Sequence, residues 1–189
     1  INNDKTINEK IKPSNESQNE YEITQLPEAQ AALIALQTSN GAIRALVGGF
    51  DFQSNKYNRV TQAYRQPGSA IKPFIFGAAL EKGFSPKTLI NDLPINFSAE
   101  STGGTLWEPK NFNNLYLGPI SMKEALTKSQ NMVSIRIIKK ITPEFGQNYI
   151  TRFGFEAKKN PPLFSLALGA GAITPLQLVA GYSSIANGG

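Results

Sequence analysis

A proline placed four residues after a serine, inside an apolar run, restricts this chain more than any other local feature. The run Ile71 to Leu80 (IKPFIFGAAL) reads as a buried helix that follows a Pro67-Gly68 turn and ends at Lys82-Gly83. Gly83 stands where a helix takes its left-handed cap. Serine is favoured where a helix begins, which would start this one at Ser69. Pro73 then lies too deep for the tolerated first position, and its missing N–H leaves the Ser69 carbonyl without its i+4 partner. Pro73 argues against an ordinary helix start at Ser69. Residues three apart share a helix face, so Ser69 and Lys72 can meet at a terminus where unpaired N–H groups favour negative charge. A serine becomes a nucleophile when a neighbour takes its proton, and a lysine serves if burial or nearby positive charge lowers its pKa. The plainer reading is a capping serine beside a solvated lysine, and spacing alone leaves both open.

Composition narrows the chemistry. The chain of 189 residues has neither cysteine nor histidine. That removes disulfides, thiol nucleophiles, Ser-His-Asp triads and the usual zinc sites, so no metal or cofactor is expected. Acid–base work falls to Lys, Asp, Glu or Tyr, which sharpens interest in Ser69 and Lys72. The net charge is +5, but lysines and arginines are scattered rather than gathered on one face, which argues against nucleic acid. No run of about 20 apolar residues could span a bilayer, and residues 1–20 hold no signal-peptide core. Any membrane attachment is expected from an N-terminal anchor outside this chain.

Residues 1–26 are expected to be a linker or the edge of a preceding module, with order beginning near Tyr21; residues 27–189 form the main domain. Ala29 to Thr38 and Ala42 to Gly48 flank Asn40-Gly41, a hairpin signal. Asp51 to Gln62 and Phe84 to Gly118 read as loops, the second holding Phe97, Trp107, Phe112 and Tyr116. Those aromatics would either line a groove or pack beneath the loop. Ser121 with Glu124 forms a capping box for a helix to Lys128. Ser129-Gln130-Asn131 interrupts it, and Met132 to Ile141 resumes as a second helix. Thr142-Pro143 and Thr174-Pro175 open two more, ending at Gly154 and near Asn187-Gly188. The small residues of Leu166 to Ala172 allow close backbone approach. Ser129 and Asn131 either cap helix ends or bring a hydroxyl and an amide to a site.

Ser-x-x-Lys followed by Ser-x-Asn is the pairing shared by penicillin-binding proteins and serine β-lactamases. With the phrases RQPGSAIKPF, LINDLPINF, PKNFNNLYLG, ALTKSQNMVSIRI and ITPLQLVAGYSSIANGG, the chain from Leu26 to Gly189 resembles the transpeptidase domain of class A high-molecular-mass penicillin-binding proteins of the Gram-negative bifunctional type. The resemblance implies an α+β penicillin-binding fold: an antiparallel sheet begun by the hairpin, a helical lobe from Ser69 onward and a site in the groove between them. It further implies that Ser69 attacks the penultimate D-alanine carbonyl of a peptidoglycan stem peptide and that Lys72 takes its proton. Ser129 would relay a proton to the leaving group, and Asn131 would hold substrate or Lys72. Penicillin and other β-lactams would acylate Ser69, and the place of work would be the periplasmic face of the bacterial inner membrane.

The family's third motif, Lys-Thr-Gly or Lys-Ser-Gly, is absent, so the chain is expected to be a fragment lacking the C-terminal part of its fold. Loss of one oxyanion donor costs about 10²–10³ in rate, and the isolated fragment is expected to turn over little. Two alternatives stay open: a D,D-carboxypeptidase or β-lactamase-like hydrolase, and a non-catalytic penicillin-binding sensor.

Overall fold

The computed structural model describes residues 27–98 and 106–188, so the readings of residues 1–26 and of the part of the Phe84 to Gly118 loop over 99–105 lie outside the described residues. The fold is α+β, helices with two small antiparallel ladders. Strand β1 (Leu33–Leu36) pairs antiparallel with β2 (Ile43–Val47), Leu33 opposite Val47. The connection is wider than a two-residue turn: Gln37 N–H donates to the Ala42 carbonyl at 2.8 Å, and Gly41 takes φ +71°. β1 is shorter than the apolar stretch that contains it.

The loop expected over Asp51 to Gln62 ends in a one-turn helix, α1 (Arg59–Gln62), because the Asn58 side chain accepts from Val60 N–H at 3.0 Å. A 3-10 turn (Gly68–Ile71) runs directly into α2 (Lys72–Glu81). The expected loop from Phe84 to Gly118 also needs correction. It contains β3 (Leu89–Asp92), which pairs antiparallel with β4 (Gly118–Ser121), a ladder separate from the hairpin. Four residues whose partner lies some thirty positions on leave little periodicity to read.

Helices α3 (Met122–Thr127), α5 (Pro143–Thr151) and α6 (Pro175–Ala186) begin where their caps foretell, whereas α4 (Asn131–Ile141) starts one residue before the expected Met132 with no side-chain cap at Gln130. Ser121 Oγ accepts from Glu124 N–H at 3.2 Å, but the Glu124 carboxylate turns to Lys128 at 3.0 Å, so only half the expected capping box forms. The complete box lies at α6, between Thr174 and Gln177. Short 3-10 turns at Ala157–Lys159 and Phe164–Leu168 join α5 to α6.

The core gathers around α2, which packs against α4 and α5 and buries Phe74, Ile75, Ala78 and Ala79. Phe74 meets Phe153 and Phe155 edge-on, each at 4.9 Å, and Tyr182 at 5.3 Å. Burying one such ring contributes about 1.5–3 kcal/mol. Among the four aromatics of the long loop, Phe97 is buried and packs against Trp107 at 5.1 Å and Phe164 at 4.7 Å. Phe112 is fully exposed. The hairpin contrasts with the core: Leu33, Ile43 and Val47 are each more than half exposed, and β2 is exposed along its length. No helix among the described residues is long and apolar enough to cross a membrane.

Candidate active site

The 3-10 turn resolves the conflict at Pro73. In this tighter register the Ser69 carbonyl accepts from the Lys72 N–H, three residues on, and needs nothing from residue 73. The α-helix proper then starts at Lys72, which puts Pro73 in the first turn, where its missing N–H costs nothing. No side chain caps either start, so Ser69 is not the helix cap that its position suggests.

The turn is held from behind. Arg65 and Ile173 exchange backbone hydrogen bonds at 3.1 and 3.0 Å. Gly68 (φ +55°) donates to the Gly169 carbonyl at 3.4 Å, and a Cβ on Gly169 would lie 2.2 Å from the Gly68 carbonyl oxygen. That contact is the close approach expected of the Leu166 to Ala172 stretch. Tyr182 donates its hydroxyl to the Ala70 carbonyl at 2.8 Å. Ser69 itself is exposed, and among the described residues its hydroxyl makes no hydrogen bond.

Lys72, by contrast, is buried, with 1 % of its surface exposed. Its ammonium donates to the Ser129 carbonyl at 2.6 Å, Ser129 Oγ at 3.0 Å and Asn131 Oδ1 at 2.7 Å. All three donors are used, and all three acceptors are neutral. No carboxylate pairs with Lys72 among the described residues. Burial without a counter-charge pushes its pKa down to about 8. Roughly a tenth of such amines are neutral at pH 7, against under a thousandth for an ordinary lysine.

Ser129 reaches Lys72 twice because its backbone is left-handed, at φ +54°, where α3 ends and before α4 begins. Asn131 is aimed by a neighbouring strap, residues 106–117. Its side-chain NH2 donates to the Lys110 carbonyl at 2.8 Å, and its backbone N–H donates to Asn111 Oδ1 at 2.9 Å. The structure thus brings Lys72, Ser129 and Asn131 into hydrogen-bond contact, one helical turn from Ser69. Asn111 and its partner Asp92 carry no local signal: Asn111 sits among Asn113 and Asn114, where asparagines read as turn formers. Phrases such as PKNFNNLYLG mark the stretch but not the role of any one amide. No group of acidic residues suited to a metal ion occurs among the described residues.

Residues 31–189 match the family model of the penicillin binding protein transpeptidase domain. The chain is 50% identical over 169 residues to penicillin-binding protein 1A of Neisseria flavescens, covering 89% of this chain and 21% of that protein. It is 52% identical over 165 residues to penicillin-binding protein 1A of Pseudomonas aeruginosa, covering 87% and 20%. It therefore spans about a fifth of the length of these curated relatives. The crystal structure of penicillin-binding protein 1A from Haemophilus influenzae matches with a TM-score of 0.82 at 40% identity, over 90% of this chain and 25% of that one.

Proposed function

Because the chain belongs to the penicillin-binding protein transpeptidase family, we propose that it carries the nucleophile and base of a D,D-transpeptidase that cross-links peptidoglycan stem peptides. The observation that carries this reading is Lys72: a lysine buried against neutral acceptors only, one turn from an exposed serine. In this mechanism the neutral fraction of Lys72 takes the Ser69 proton as Ser69 Oγ bonds to the penultimate D-alanine carbonyl carbon. The Ser69 backbone N–H supplies one oxyanion donor. The tetrahedral intermediate collapses, the C–N bond to the terminal D-alanine breaks, and a proton is delivered to the leaving nitrogen.

Ser129 suits that delivery. The Ser129 carbonyl and Asn131 Oδ1 can only accept, whereas the Ser129 hydroxyl can accept a proton from the Lys72 ammonium while passing its own to the leaving nitrogen, which returns Lys72 to the neutral form. Asn131 holds Lys72 in place. An amine from a second strand then attacks the ester, the amide forms and Ser69 recovers its proton. A β-lactam presents a strained acyl group to the same oxygen. The setting in this reading is the periplasmic face of the inner membrane.

Intact-mass measurement after incubation with a penicillin tests the proposal. A single covalent adduct is expected on the parent chain and none on Ser69→Ala. If a protein extended to the length of its relatives also takes no adduct at Ser69, the transpeptidase reading fails. Release of the adduct by water within seconds would instead mark a hydrolase.

A further inference from the structure

We infer that Asp92 and Asn111 form a positioning pair that sets the proton affinity of Lys72 from outside the Ser-x-x-Lys and Ser-x-Asn motifs. This inference rests on the acyl-transfer reading of Ser69 and Lys72. Asn111 is 2 % exposed and Asp92 is 0 % exposed. All the capacity of the Asn111 amide is used, in one orientation. Its Nδ2 donates to Asp92 Oδ1 at 2.8 Å and to the Leu115 carbonyl at 2.8 Å. Its Oδ1 accepts from Asn131 N–H at 2.9 Å and Met132 N–H at 3.2 Å. Those two N–H groups open α4, whose own cap position, Gln130, provides no side-chain bond. Asn111 therefore caps α4 from a distant strap. Asp92 fixes which way it faces, because a carboxylate can only accept and would repel a flipped Oδ1.

The consequence reaches Lys72 through one residue. Lys110 and Asn111 hold Asn131 by both its side-chain NH2 and its backbone N–H, which leaves Asn131 Oδ1 facing the ammonium at 2.7 Å. Asp92 is itself anchored at its other oxygen by Leu117 N–H at 3.0 Å, on the far end of the strap. Beside it, Arg136 bonds the Leu93 and Pro94 carbonyls at 2.6 and 3.2 Å. The carboxylate thus clamps both ends of the strap segment that aims Asn131. Ser129 has no such external support among these contacts. Asn131 is the adjustable acceptor.

The test is the rate of Ser69 acylation by a fluorescent penicillin as a function of pH, in the full-length protein carrying this chain. Asp92→Asn keeps shape and volume and admits no new water, but it sets an NH2 against a donor and loosens the clamp. Loss of an acceptor from a buried ammonium lowers its pKa. The expected result is a maximal rate reduced on the order of 10- to 100-fold, as displaced catalytic groups give, with the acylation midpoint moved acidward. The exchange Asp92→Asn with Asn111→Asp restores a donor facing an acceptor between the two residues but sets a carboxylate oxygen against the Leu115 carbonyl, so it is expected to recover part of the maximal rate and of the midpoint. A folded Asp92→Asn protein with unchanged rate and midpoint would overturn the inference. So would a rate loss without a midpoint shift that the exchange leaves unrepaired, since that marks a helix cap alone. Acylation that survives Ser69→Ala, or a midpoint indifferent to Lys72→Arg, would instead refute the underlying reading.

Discussion

At the scale of single residues, Lys72 joins catalysis to stability through one proton. Below about pH 8 its amine is protonated in both folded and unfolded chains. Between about 8 and the ordinary value of 10.5 the folded chain has released the proton and the unfolded chain still holds it. The unfolded state then binds more protons, so this residue's contribution to stability rises with pH across that window. Urea unfolding at pH 8 and pH 10 should show the wild type gaining relative to Lys72→Met; parallel changes in the two proteins would refute the burial of a neutral amine. Acylation should rise through the same midpoint and collapse in Lys72→Arg, whose guanidinium does not give up its proton. The pair Ser69 and Lys72 was legible because Pro73 forbids an ordinary helix there. Asp92 and Asn111 were not, because what distinguishes them is four hydrogen bonds that join residues far apart along the chain.

At the scale of elements, the helices could be read from their first residues. Ser121, Thr142 and Thr174 each accept from a backbone N–H of the turn that follows, and local chemistry of that kind survives in sequence. The ladder of β3 with β4 could not, since neither strand has a local partner. The backing of the Ser69 turn lies between these cases: small residues announce close approach without saying to what. Gly169 meets Gly68, and its φ of +71° adds left-handed strain to any side chain placed there. Gly83, at φ +86° with open space around it, isolates the strain alone. Gly83→Ala is expected to lower stability by about 1–2 kcal/mol with acylation unchanged. Gly169→Ala should cost more and slow acylation as well, because the clash falls on the backbone that carries Ser69. Equal losses and equal rates in chemical denaturation and acylation assays would show that the contact does not position the serine.

At the scale of the whole molecule, a helical lobe with a dense centre stands beside a thin ribbon. The hairpin is tied to the lobe by contacts with α6, by Asn187 Nδ2 donating to the Thr38 carbonyl at 3.0 Å, and by Arg59 N–H donating to the Gly48 carbonyl at 3.0 Å. Two strands with apolar residues exposed on both faces are marginal on their own. Amide exchange in this chain should therefore be fast along β1 and β2 and slow in α2 and α4. Hairpin amides protected as long as those of α2 would show that ribbon and lobe open together. The stack of Trp107 on Phe97, and of Phe97 on Phe164, adds an optical consequence. Trp107 is the chain's one tryptophan. It sits where the strap that grips Asn131 meets the turn leading to Gly169, so the emission of this chain comes from the junction of the two supports of the site. Any rearrangement there on acylation will colour the fluorescence without a label.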